Sequence, residues 1–235
     1  MSILTQSAGL IRRSWVHLLP QDCLLCGAGS GETLLCRACE ADLPRPPLPA
    51  CPRCALPNSH GEVCGRCLAR PPYYDATSAA FRYAFPIDKL VQSFKYGHRL
   101  ALASYFGRQL AWLSEIGAAD LIIPLPLHPM RLRERGFNQA LELARPVGKA
   151  CRIPIDERSC SRIRHTAIQA DLPWRERARN VRGAFHCTSD FTGKRLLLVD
   201  DVMTTGSSLN ELARTLKLHG AAQVALLVVA RTMPV

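Results

Sequence analysis

Eight cysteines stand in four Cys-x-x-Cys pairs, Cys23/Cys26, Cys36/Cys39, Cys51/Cys54 and Cys64/Cys67, and each of the first four recurs 28 residues later. The segment is a tandem repeat of C-x2-C-x9-C-x2-C. It supplies eight soft thiolates, the number that two tetrahedral zinc ions with four thiolates each require. The spacers are short, so each unit is expected to be a minimal two-knuckle hairpin whose metal serves folding. Spacing leaves the ligand sets open. Sequential pairing puts Cys23, Cys26, Cys36 and Cys39 on one ion, whereas cross-braced pairing puts Cys23 and Cys26 with Cys51 and Cys54. His60 is a substitute ligand in principle, but the cysteine set is complete without it, and iron is the alternative metal because it also takes four thiolates. Cys151, Cys160 and Cys187 lack a partner motif and an adjacent His, and read as small core or strand residues.

A second chemistry-bearing stretch runs from Leu196 to Leu209. An apolar strand delivers Asp200 and Asp201 to its C-terminal end, and a hydroxyl-rich turn, Thr204-Thr205-Gly206-Ser207-Ser208, leads straight into a helix. Free backbone N–H groups at the helix start, with the hydroxyls, can wrap a phosphate, and Gly206 lets the backbone come close. The two acids would repel that phosphate and are placed for vicinal hydroxyls or a metal ion. No Lys follows the glycine, which excludes a Walker loop, and no G-x-G-x-x-G opens a helix after a strand, which argues against a dinucleotide site.

Elements must hold these groups in place. The chain has 235 residues, 48% of them hydrophobic, enough for one sizeable core and a smaller module. A strand over 76–85 precedes a helix opened by Pro86 with Ile87, Leu90, Val91 and Phe94 on one face. A second helix carries Leu102, Phe106, Leu110 and Leu113. A short strand at 121–123 leads through an arginine-rich loop to a helix from about Asn138, which Pro146 should kink or end early. Weaker strands at 160–163 and 184–187, a strong one at 195–199, a helix over 207–219 and a buried strand over 223–229 complete the pattern. Alternating helices and continuously apolar strands imply an α/β fold with a doubly wound parallel sheet. It is preceded by the small double zinc-knuckle domain, with the boundary near residue 72, giving domains 1–72 and 73–235.

The longest apolar run, residues 224–230, holds seven residues, far below the roughly 20 of a membrane-spanning helix. The apolar stretch behind Arg12-Arg13 is too short and polar for a secretory signal, so the protein is expected to be cytoplasmic and not inserted in a membrane. The formal charge is +11, but metal binding redistributes it. Residues 1–72 hold 7 Arg and 5 acids, and eight thiolates with two Zn2+ bring them to −2. Residues 73–235 hold 23 basic and 14 acidic residues, or +9, so a polyanionic ligand is expected there rather than on the knuckles.

The stretch from Leu196 to Leu209 closely resembles the phosphoribosyl pyrophosphate (PRPP) motif of type I phosphoribosyltransferases. That resemblance implies ribose hydroxyl binding by Asp200 and Asp201, 5-phosphate binding by Thr204, Thr205, Gly206, Ser207 and Ser208, and Mg2+ accompanying PRPP. Ser208 stands where that family usually has Thr. The whole order of motifs from Cys23 is similar to the ComF family: double knuckles, Phe94-Lys95-Tyr96-Gly97-His98, Pro124-Leu125-Pro126, the run from Arg131 to Ala140, the segment 164–185 and the PRPP loop. The likeness implies a phosphoribosyltransferase-like protein with a role in natural transformation or in nucleotide metabolism, with PRPP, imported single-stranded DNA and proteins of DNA uptake as partners. It does not imply an acceptor, nor that turnover occurs. Arg133, Arg135, Gly136 and Asn138 then face the pyrophosphate, and Arg164, Thr166 and Gln169 belong to a flap over the substrate. Arg175, Arg177 and Arg179 form a strip suited to nucleic-acid phosphates. The alternative function is a non-catalytic protein that binds single-stranded DNA or senses PRPP.

Overall fold

Strands that are apolar on both faces pair in parallel where helices cover each side, and two such strands, flanked by two more, form the centre of this chain. The structure is a computed structural model that describes residues 21–113, 119–164 and 181–233. It contains two compact units that divide between Leu43 and Pro44. In the first, β1 (Gln21–Asp22) pairs antiparallel with β2 (Gly29–Gly31) and a short helix α1 (Arg37–Ala41) follows. The second holds α2 (Gly65–Ala69), β3 (Ala76–Arg82), α3 (Ile87–Tyr96), α4 (Ala101–Ala111) and β4 (Leu121–Pro124). It continues with α5 (Pro129–Arg135), α6 (Gln139–Cys151), β5 (Cys160–Arg162), β6 (Phe185–Cys187), β7 (Arg195–Met203), α7 (Ser207–Leu218) and β8 (Gln223–Arg231). Composition separates the chain near residue 72, but the compact units divide earlier, so the second cysteine module shares a unit with the sheet.

The sheet order is β3-β8-β7-β4, every pair parallel. Leu196 and Leu198 of β7 and Val224, Leu226 and Val228 of β8 share a buried cluster with Leu209, Leu212 and Leu216 of α7. Their alternates Leu197, Val199, Leu227 and Val229 are equally buried, and α4 and α6 pack against these strands. Period-two alternation between two apolar faces makes the sheet doubly wound. On α3, the four residues expected to face inward, Ile87, Leu90, Val91 and Phe94, are all buried. No helix among the described residues is long and apolar enough to cross a membrane.

Several local expectations need correction. Strand β7 does not stop at Val199 but runs to Met203, because β8 pairs with it as far as Arg231, so Asp200 and Asp201 lie within the strand. The segments at 160–163 and 184–187 do not join the sheet. They form an antiparallel ribbon of their own in which Cys160 opposes Cys187, their sulfurs 3.6 Å apart. The two cysteines are therefore each other's neighbours across strands. The arginine-rich stretch after β4 is not a loop but α5, started by His128, whose Nδ1 accepts from the Met130 N–H at 3.3 Å, and ended by left-handed Gly136.

Pro146 does not end α6 early, since the helix continues to Cys151. The lost N–H is offset by packing, for Leu143, Ala144, Val147 and Gly148 are buried and α6 lies along α4. Gly107 of α4 makes room for the proline ring, because a Cβ there would stand 2.2 Å from Pro146 Cγ. Gly107→Ala should thus force the two helices apart and destabilise the protein by roughly 1–3 kcal/mol, read as a lower urea midpoint. An unchanged midpoint would show that the helices separate without cost.

Candidate functional site

Hairpin turns bring the cysteines together in sequential sets. The Sγ atoms of Cys23, Cys26, Cys36 and Cys39 lie within 4.8 Å of one another, as do those of Cys51, Cys54, Cys64 and Cys67. Four thiolates at tetrahedral zinc distances stand about 3.8 Å apart. The observed separations are 3.7 Å for Cys26 to Cys36 and 3.8 Å for Cys54 to Cys64, so the donor sets fit zinc and the cross-braced scheme does not apply. His60 is exposed and belongs to neither set. Backbone N–H groups prepare one thiolate in each. Burial raises Cys51, but N–H groups of Cys64, Cys54 and Arg53 outweigh it and draw the thiol down to about 7. Burial likewise works against N–H groups of Cys36, Cys26 and Leu25 around Cys23, which falls to about 6.

The second cysteine set is tied into the sheet. Thr77 N–H donates to the Pro52 carbonyl at 2.9 Å, and Arg231, 1% exposed, reaches from the end of β8 to the Cys54 carbonyl with Nε at 2.9 Å. Arg231 Nη1 donates to Met203 O at 2.8 Å and Thr232 O at 2.9 Å, and also to Thr204 O. Burial pushes its pKa below the ordinary arginine value. This one guanidinium joins the metal module to the start of the hydroxyl-rich turn. Past Thr204, Gly206 is left-handed with φ 79°, and a Cβ there would meet Met203 Cε at 2.6 Å. Thr205 Oγ1 and Ser207 Oγ stand 2.8 Å apart, and the Ser207 N–H donates to Thr205 Oγ1 at 3.3 Å. The turn is pre-shaped, with Gly206 capping the N-terminus of α7.

Asp201 is 6% exposed, and Lys95 of α3 pairs with it at 2.8 Å. Burial opposes the Lys95 charge, yet the Asp201 carboxylate overrides it and raises the lysine pKa. Asp200 is half-buried and accepts from the Asp201 N–H at 2.8 Å. Burial, then the neighbouring Asp201 charge, pushes Asp200 up to about 7, with Lys95 and Arg135 acting the other way. Arg135 is held by Gln139 Oε1 at 2.9 Å and Tyr96 OH at 3.3 Å, its guanidinium 5.3 Å from the Tyr96 ring centre. Asn138 starts α6 by accepting from the Ala140 N–H at 3.0 Å.

The structure thus gathers Asp200, Asp201 and Arg135 in one electrostatic neighbourhood. Arg133 is exposed on α5, and Arg164 donates to Arg182 O at 2.6 Å. No contact joins either side chain to the acids among the described residues. Thr166, Gln169, Arg175, Arg177 and Arg179 lie outside the described residues. Two participants escaped the sequence analysis. Lys95 gives a faint signal in the sequence, as a charged residue directly after Phe94 on the inward face of a helix. Arg162 lies close enough to Asp200 to be influenced by its charge, while burial and Arg131 lower its own pKa.

Comparison with known proteins adds independent support. A double zinc ribbon domain matches residues 15–68, and a phosphoribosyl transferase domain matches residues 154–233. The DNA utilization protein YhgH of Escherichia coli K12 is 36% identical over 193 residues, 78% of this chain and 84% of that protein. Competence protein F of Haemophilus influenzae is 30% identical over 81% of this chain and 87% of its own length. Competence protein ComFC of Streptococcus pneumoniae is 25% identical, covering 86% and 96%.

Two outcomes follow from this geometry. Elemental analysis of chelator-free protein should find two zinc ions per chain, and Cys51→Ala should remove one. Two ions retained in that variant would sink the sequential assignment. The native state holds the Asp200 proton more tightly than the unfolded chain, where the pKa is about 3.9, so stability contributed here falls as pH rises from about 4 to 7. Asp200→Asn should therefore be more stable than the parent by up to about 4 kcal/mol at pH 8 and nearly equal to it at pH 4. A constant difference across that range in thermal melts would contradict the raised pKa.

Proposed function

The chain belongs to the competence protein F (ComF) family, and on that premise we propose that it binds PRPP together with Mg2+ at the β7–α7 junction and handles single-stranded DNA in natural transformation. The observation that carries the first part is the acid pair followed by a pre-shaped hydroxyl turn at a helix N-terminus. Backbone N–H groups and hydroxyls of residues 204–208 take the 5-phosphate. Asp200 and Asp201 hold the ribose hydroxyls or the cation, which would supply charge neutralisation at the pyrophosphate. Arg135, fixed by Gln139 and Tyr96, is oriented for a pyrophosphate oxygen.

These groups position the substrate and neutralise charge. Displacement of pyrophosphate from an oxocarbenium-like carbon asks for that kind of assistance rather than for a side-chain nucleophile. Lys95 balances one of the two acids, so the other can be neutral in the free protein and ionise when the cation arrives. The names of the YhgH and competence relatives support the DNA role, and the +9 carried by residues 73–235 fits a polyanionic partner. The cytoplasm, where imported single strands arrive, is the compartment this reading requires.

Titration calorimetry with PRPP and Mg2+ tests the sugar-phosphate site. Asp200→Asn should weaken binding at least tenfold, and binding near pH 6.5 should release protons because the cation favours ionised Asp200. Affinity should rise from pH 6 to pH 8 in the parent more than in the variant. Equal affinities in parent and folded variant would remove Asp200 and the turn from the role.

A further inference from the structure

A cavity of about 880 Å3 lies between the second cysteine module and the first turn of α7, bounded by Arg66, Arg70, Tyr73, Arg182, Thr205 and Ser207. Its wall also carries Glu211 and Arg214, which satisfy each other through three contacts of 2.8–3.2 Å. Arg66, Arg70 and Arg182 are exposed. None of the three takes part in an ion pair among the described residues. Four arginines against one glutamate leave a net +3 around one concavity. Like charges gathered without a counter-ion repel one another, so the arrangement favours an anion that spans them.

Tyr73 says what kind of anion. Its side chain is 50% exposed, yet its backbone N–H is fixed to Asn210 Oδ1 of α7 at 2.8 Å, and Pro71-Pro72 precede it. A tyrosine on a stiff segment beside guanidiniums offers a stacking face next to phosphate contacts, the combination that holds unpaired bases and their backbone. A compact metabolite phosphate needs no such face. The charge division at residue 72 hid this site. Residues 44–72 hold four Arg and one Glu, so with four thiolates and one Zn2+ this module carries +1, and the negative balance belongs to residues 1–43.

We propose that this cleft binds single-stranded nucleic acid, with Arg66, Arg70 and Arg182 on successive phosphates and a base on Tyr73. The proposal rests on the DNA-handling role above and names where that role resides. It assigns the second cysteine module a direct part in binding, against the expectation that the knuckles stay apart from DNA.

The test measures fluorescence anisotropy of a labelled 20-mer of thymidine with the zinc-loaded full chain across a salt series. Arg66→Ala, Arg70→Ala and Arg182→Ala together should weaken binding at least tenfold. They should also flatten the slope of log K against log salt by about 2, at roughly 0.7 per contact. Tyr73→Ala should lower affinity with little change in slope, and Arg108→Ala, an exposed site on α4, should change neither. An unaltered thermal melt shows that the triple variant is folded. If it keeps the parent's slope, DNA binds elsewhere and the cleft is overturned. Loss of PRPP affinity with DNA binding intact would make the cleft an extension of the sugar-phosphate site, which also overturns it. A parent that binds PRPP but no oligonucleotide removes the DNA role and this cleft together. One that binds the oligonucleotide but not PRPP leaves the cleft standing and removes only the sugar-phosphate reading.

Discussion

The buried guanidinium of Arg231 is the constraint on which the second unit depends. A charged group 1% exposed is costly to desolvate unless every donor finds an acceptor. Its acceptors are backbone carbonyls of Cys54, of Met203 with Thr204, and of its own neighbour Thr232, the first two distant in sequence. They converge only if the cysteine hairpin is closed, β7 extends to its last residue and β8 lies beside it. The metal module is therefore part of the floor on which the hydroxyl turn is built.

Electrostatics at the acid pair set function against stability. Two adjacent carboxylates at the end of a parallel strand repel, and a single lysine compensates one of them. The remaining charge is held back by burial and by its neighbour, so ionising both acids together requires a further positive charge beside them. Sites so arranged are drawn from the costly end of a protein's stability.

Much of this was legible in the chain. The cysteine repeat, the turn and helix that follow Met203 and the apolar periodicity of residues 87–94 each show one local rule without interference, and each folds as it reads. What was hidden depended on distance in space. The ligand sets needed the hairpins themselves. Helix α5 was obscured because it buries none of its residues and so carries no inward apolar stripe. Pro146 was misleading because its tolerance is granted by Gly107, 39 residues earlier. The extension of β7 through two acids followed from the length of its partner strand, and Lys95 acquired its meaning only when α3 was laid beside that strand.

The two cysteine modules have one spacing but different surroundings. In the first, Cys26 is exposed and Cys36 and Cys39 are half-buried, whereas Cys51, Cys54 and Cys67 are all buried. Solvent-borne chelators and oxidants reach thiolates by access, so the paired ions cannot be equivalent in lifetime. The ion of the first set is therefore expected to exchange faster with a chelator than that of the second. The second set is bonded to β3 through Thr77 and to the end of β7 through Arg231, so opening its hairpin means parting contacts that the sheet also uses.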